Sequence, residues 1–152
     1  MHIFIDESGI FKRSSTRAWA VSCVGALTIP DEALHNVLND FHMLKKGWGT
    51  EHVEIKGSDL NEKEIADTIS LLSRYDVLFE VIGIDMQPHQ DDWITNRKML
   101  QARALTENLT DKHKQGLVEE VKAISRSLQG LTNQLYIQSE ATFELIHRVI
   151  QK

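Results

Sequence analysis

Apolar positions change their spacing along the chain and divide it into a strand-bearing first part and a helical last third. His2 to Asp6 is rich in aromatic and β-branched residues and stops at Ser8 and Gly9, a turn-forming pair, which predicts a short strand ending in acid. After a polar loop from Lys12 to Arg17, positions 18–29 read as a longer strand. It would carry Trp19, Val21, Cys23 and Leu27 on one face and could pair with the first strand as a hairpin. Pro30, Asp31 and Glu32 then supply the fixed φ and acidic first turn of a helix. Its predicted apolar stripe is Leu34, Val37, Leu38, Phe41 and Leu44, and Lys45, Lys46 and Gly47 close it.

Between Glu51 and Lys56 the period becomes two, with Val53 and Ile55 opposite His52, Glu54 and Lys56, as in a half-buried strand. Asn61 with Glu64 three residues on predicts a capped helix that ends near Tyr75 and buries Ile65, Ile69 and Leu72. Asp76 to Met86 is almost uninterrupted apolar sequence, the pattern of a central strand covered on both faces, and it too ends in an acid, Asp85. Helical spacing then dominates, with helices expected near 92–109, near 117–128 and after Gly130. The last two are expected to form a hairpin, Leu117, Val121, Ile124 and Leu128 facing Leu135, Phe143, Ile146 and Ile150. The predicted fold is α/β with a mixed sheet of about three to five strands, one domain with a sheet part over 1–88 and a helical part over 89–152.

At 152 residues the chain suits one domain, and 41% hydrophobic with 26% charged residues excludes disordered and low-complexity classes. No apolar run approaches the roughly 20 residues of a membrane span, and no basic stretch precedes an apolar signal core, so we expect a soluble, cytoplasmic protein. Cys23 is the only cysteine, which excludes internal disulfides and thiolate zinc sites; its apolar neighbours predict a buried structural role. With 17 basic against 22 acidic residues, any polyanion must be met locally rather than by a broad positive surface. No Gly-rich phosphate loop and no nucleophile elbow are present.

A carboxylate at the end of an apolar strand is costly unless a cation or several donors receive it. Two strands here end that way, at Asp6 and at Asp85. If they lie side by side and parallel, with the intervening helices as crossover, both acids emerge at one sheet edge, where ligands collect in α/β folds. Glu54 offers a third carboxylate, and three oxygen donors would suit Mg²⁺ or Mn²⁺. Glu7 and His52 are further candidates, His52 sharing the Glu54 face as a ligand or proton shuttle. Lys56, on that face, and Lys12 and Arg13, beside Asp6 in sequence, could orient a phosphate. Each position has a plainer explanation: turn chemistry at Asp6 to Gly9, a cap on the Gln87-Pro88 turn for Asp85, and an exposed Glu54–Lys56 ion pair. The case therefore rests on the three acids acting together.

Ile3-Phe4-Ile5-Asp6-Glu7-Ser8-Gly9, a long apolar strand after it, and Glu54-Ile55-Lys56-Gly57-Ser58-Asp59-Leu60 resemble the domain-of-unknown-function 3800 family. The first motif is the more specific, and the resemblance covers roughly residues 1 to 86. It implies a ribonuclease-H-like, or integrase-like, fold, in which strand-borne carboxylates bind two divalent metals for phosphodiester hydrolysis of nucleic acid. Members are often linked with mobile elements or phage defence. Asp6 and Glu54 follow from the motifs as ligands; Asp85 is matched by position only. The family's further Gln-Leu-Ala-Asp-like motif is missing here, with Glu140 and Glu144 as the available substitutes for its acid. The chain stops inside a helical pattern without a stop signal, as in a fragment, a truncated product or a divergent member. The competing expectation, favoured by the incomplete acid set, is a catalytically silent interaction module, or a homodimer formed through the carboxyl-terminal helices.

Overall fold

The structure, a computed structural model, describes residues 1–13, 21–50, 54–110 and 112–151. Three strands, β1 (His2–Ser8), β2 (Val21–Ile29) and β3 (Leu78–Asp85), form one antiparallel sheet in the order β1-β2-β3. Five helices accompany it: α1 (Asp31–Gly47), α2 (Glu62–Leu72), α3 (Asp91–Glu107), α4 (Gln115–Gly130) and α5 (Asn133–Ile150). The α/β class and the β1–β2 pairing agree with the sequence pattern, but the sheet is antiparallel throughout rather than mixed.

Two compact units divide the chain, and each strand contributes to both. The first unit comprises residues 1–5 and 26–80. Its core is Ile29, Val37 and Leu71, with Leu27, Leu34, Leu44 and Leu72 packed around them. Pro30 pre-sets the start of α1, with Asp31 and Glu32 in the first turn and Lys45 and Lys46 in the last, as the helix dipole favours. Asn61 and Glu64 form the expected reciprocal cap of α2, Asn61 Oδ1 accepting from the Glu64 amide at 3.0 Å and Glu64 Oε2 from the Asn61 amide at 2.9 Å. The buried face of α2 differs from the predicted stripe: Leu71 is buried, whereas Ile65 and Ile69 are exposed. Leu38 and Phe41 of α1 likewise face outward while Val37 is buried, because α1 and α2 pack on each other through one shared seam. Of the extended segment predicted over 51–56, residues 51–53 lie outside the described residues and 54–56 form no strand; a short 3-10 turn, Gly57–Asp59, follows them.

The second unit comprises residues 6–25 and 81–152. Its helical hairpin is α3 with α4, and α5 packs on α3 as well, so the expected α4–α5 hairpin is corrected. Small residues explain the pairing. Ala102 of α3 is fully buried, and Ser125 of α4 comes close enough to donate its hydroxyl to the Ala102 carbonyl at 2.7 Å. Lys98, also buried, reaches across from α3 and donates to the Leu131 carbonyl at 2.6 Å, placing a cation at the carboxyl end of α4. α5 buries Tyr136, Ile137, Ala141, Leu145 and Val149. Leu117 and Ile124 of α4 and Leu135, Phe143 and Ile150 of α5, predicted to face one another, are exposed instead.

β3 is an edge strand and not the expected central one, with Phe79 66% and Val81 44% exposed on alternate positions. In β2 the buried parity is Ser22, Val24, Ala26 and Thr28, so the predicted Val21, Cys23, Leu27 face is the less covered one. Cys23 is accordingly half-buried, and Trp19 lies outside the described residues. Among the described residues no helix is long and apolar enough to cross a membrane.

Candidate functional site

The amino-terminal acidic motif is held by a close approach between backbone and side chain. Gly9 has φ 105°, and a Cβ there would lie 2.6 Å from Ser22 Oγ and 2.8 Å from Ser22 Cα. Two residues on, Phe11 is buried with φ 45°, a left-handed conformation that costs a bulky residue of order 1–3 kcal/mol. Its amide donates to Ser22 Oγ at 2.9 Å, so one buried hydroxyl on β2 anchors the turn that leaves β1. Asp6 and Glu7 precede this anchor; Lys12 and Arg13 follow it.

Asp6 and Asp85 both stand in the second unit, near the carboxyl ends of β1 and β3, and both are exposed. Antiparallel pairing of each strand with β2 makes β1 and β3 run in the same direction, so the two acids leave the sheet at the same end. They are not on adjacent strands, however, because β2 occupies the place between them. Two interstrand spacings amount to about 10 Å. The crevice between neighbouring parallel strands, on which the edge-site expectation rested, is therefore absent from this sheet. Asp6 Oδ1 accepts from the Glu7 amide at 3.0 Å, and Asp85 Oδ1 accepts from the Gln87 amide at 2.9 Å. The second bond is the turn-capping role weighed for Asp85, and in each case a second carboxylate oxygen remains for another partner.

Glu54 and Lys56 belong to the first unit, both exposed, and the two side chains form no ion pair with each other. His52 lies outside the described residues. Among the described residues, no group of three or more His, Cys, Asp or Glu side chains is arranged to hold a metal ion. The substitute acids are already engaged. Glu140 Oε2 accepts from Gln101 Nε2 at 3.1 Å and from the Arg97 guanidinium at 3.3 Å, while Glu144 pairs with Arg148 at 2.8 Å. Arg97 also lies 5.6 Å from the Trp93 ring centroid, a cation–π contact, and Gln101 Oε1 accepts the Tyr136 hydroxyl at 2.7 Å. Burial pushes the Tyr136 phenol up from its ordinary range, and nearby Arg97 pulls it the other way.

Two concavities deserve comparison by their charges. In the first unit a groove of about 550 Å³ runs past Asp40, Asp67 and Arg74. Asp40 is already bound there, to Arg74 at 3.1 Å and to the Tyr75 hydroxyl at 2.8 Å, a bond that raises the Tyr75 phenol. In the second unit a cavity of about 330 Å³ is bounded by the Phe11 to Arg13 segment, by Met86 and Ile94, and by Asn133 and Gln134 at the start of α5. This second set joins three distant stretches of sequence. Only Lys12 and Arg13 were marked by local signals; Thr132 is an ordinary helix cap, its hydroxyl accepting from the Leu135 amide at 3.2 Å. Compared with family models, with curated proteins and with solved structures, the chain finds no match.

Proposed function

We propose that the protein is a divalent-metal-dependent nuclease, a phosphodiester hydrolase of the ribonuclease-H-like class implied by its amino-terminal motif. The observation that supports this most is the emergence of Asp6 and Asp85 at one end of the sheet, within the unit that also carries Lys12 and Arg13. Hard carboxylate oxygens suit Mg²⁺ or Mn²⁺, and Mg²⁺ commonly takes only one or two carboxylates from the protein. The lateral separation of about 10 Å between the two strands favours a pair of ions about 4 Å apart over one shared ion. When bound, such ions acidify the attacking water and neutralise the leaving oxygen. Asp6 and Asp85 would hold them, with Glu7, next to Asp6 in sequence, as a further candidate. Lys12 and Arg13 of the same unit would orient the phosphate as a point charge and a bidentate donor.

Cleavage of single- and double-stranded DNA and RNA, assayed with Mn²⁺ and with a chelator, checks this assignment. Asp6→Asn should lower the metal-dependent rate at least about 100-fold, the equivalent of roughly 2.7 kcal/mol of barrier. A variant that cleaves at the wild-type rate would remove Asp6 from the chemistry.

A second reading is a catalytically silent interaction or dimerisation module. Its support is the outward apolar set of the second unit, in which Phe143 is 72% and Ile150 67% exposed. No cleavage of any of the four substrates, together with a concentration-dependent dimer, would favour it.

A further inference from the structure

At the start of α3 three planar side chains form a column on the surface of the second unit. The ring centroid of His89, just ahead of the helix, lies 5.1 Å from that of Trp93 at an interplanar angle of 35°. On the other side the Arg97 guanidinium lies 5.6 Å from the Trp93 centroid. Intervals of four residues bring such side chains onto one line of a helix. Trp93 is nevertheless 46% exposed, and Arg97 is exposed as well, so a ring and a guanidinium plane remain open to solvent. The Arg97 end of the column is fixed. Its guanidinium donates to Glu140 Oε2 at 3.3 Å, and Gln101 Nε2 donates to the same oxygen at 3.1 Å. The ordering of that plane is therefore met before any ligand arrives. Cations belong to the same turn of α3: Asp91 and Ile94, which bracket Trp93 in sequence, line a cavity together with Lys12 and Arg13. Both cations are exposed, and neither has an ion-pair partner among the described residues.

We propose that this column is a stacking platform for single-stranded nucleic acid. Every base has a flat π face, and an ordered ring or guanidinium plane receives it whatever the sequence. The phosphates of the adjoining nucleotides would meet Lys12 and Arg13. Asp91 and Asp92 stand beside Trp93 and oppose a phosphate, so stacking supplies the larger share of the affinity. A duplex keeps its bases inside and offers the column little. The inference deepens the nuclease reading and rests on it for the choice of nucleic acid as the ligand. His89 follows Asp85 by four residues within the same unit, so the platform would give that enzyme a preference for unpaired strands.

Titration of the whole chain in chelator, followed by tryptophan emission, separates this proposal from the metal-dependent chemistry. Oligothymidylate and oligouridylate of about eight residues should bind and quench Trp93, and a DNA duplex should bind at least about tenfold more weakly. The tighter of the two oligomers gives the sugar of the natural strand. Trp93→Leu keeps apolar bulk without a π face and should weaken binding at least about tenfold, whereas Trp93→Phe keeps a ring and should stay within about threefold of the wild type. Lys12→Ala with Arg13→Ala should lower the slope of log affinity against log salt by about 1.4, at about 0.7 for each lost phosphate contact, and Trp93→Leu should leave that slope unchanged. No binding of either oligomer, or equal binding by Trp93→Leu and the wild type, overturns the proposal. Oligomer binding in chelator without cleavage in Mn²⁺ keeps the platform and loses the nuclease reading, while cleavage that Trp93→Leu performs at the wild-type rate and affinity does the reverse.

Discussion

Tyr136→Ala is expected to destabilise the protein by about 4 kcal/mol, the usual cost of removing a buried aromatic side chain. Tyr136 is 1% exposed, and its hydroxyl donates to Gln101 Oε1 at 2.7 Å, so truncation opens a cavity and also leaves a polar atom without its donor. Tyr136→Phe keeps the ring and should cost only about 1–2 kcal/mol. Denaturant unfolding midpoints measure both values, and a loss below about 1 kcal/mol for the alanine variant would mean that α5 does not pack as described. The same phenol makes a pH prediction. Burial raises its folded-state pKa above the unfolded value of about 10, so the folded chain holds the proton more tightly. That contribution to stability is complete below about pH 10 and is lost as pH rises through the folded value. Tyr136→Phe should lack this alkaline decline, and an unchanged decline in the variant would assign it to other groups.

Gly9→Ala is expected to cost about 3 kcal/mol, from a strained φ and from collision with backbone that cannot yield. The new Cβ would sit 2.8 Å from Ser22 Cα, and relieving that contact pulls Phe11 away from its 2.9 Å bond to Ser22 Oγ. Because Asp6 lies just before this turn, the substitution should also weaken the proposed metal-dependent cleavage. Gly116→Ala is the control. Outside its own turn of backbone nothing lies within 4 Å of its added Cβ, and its place in the first turn of α4 accepts alanine. If both substitutions are equally tolerated, the turn is not anchored on Ser22.

Local chemistry was legible in the sequence, and pairing over distance was not. The Asn61 and Glu64 cap, the Pro30 start of α1 and the strand that stops at Ser8 depend on neighbours within a few residues, and each stands where its residues predict. The inward face of α2 does not, because Ile65, Ile69, Leu71 and Leu72 can each supply a stripe, and only contact with α1 selects Leu71. The apolar run of β3 suggested a covered strand, yet its position at the sheet edge leaves Phe79 outside. Hydrophobic spacing also favoured α4 on α5, but the small pair Ala102 and Ser125 lets α4 approach α3 more closely. At the candidate site the strand-end acids were legible, while the insertion of β2 between them was a question of sheet order. The cavity was legible only at Lys12 and Arg13, since its remaining walls come from segments near 86–94 and 132–134.

Central to the account is that Asp6 and Asp85 receive divalent ions, and thermal unfolding during a Mn²⁺ titration tests it most directly. An ion that prefers the native state at 100 times its dissociation constant adds about 2.7 kcal/mol, so the wild-type midpoint should climb with Mn²⁺. In Asp6→Asn and in Asp85→Asn the climb should be lost, with little change in the metal-free midpoint because both side chains are exposed. A wild-type midpoint indifferent to Mn²⁺, or variants that climb as far as the wild type, would contradict it.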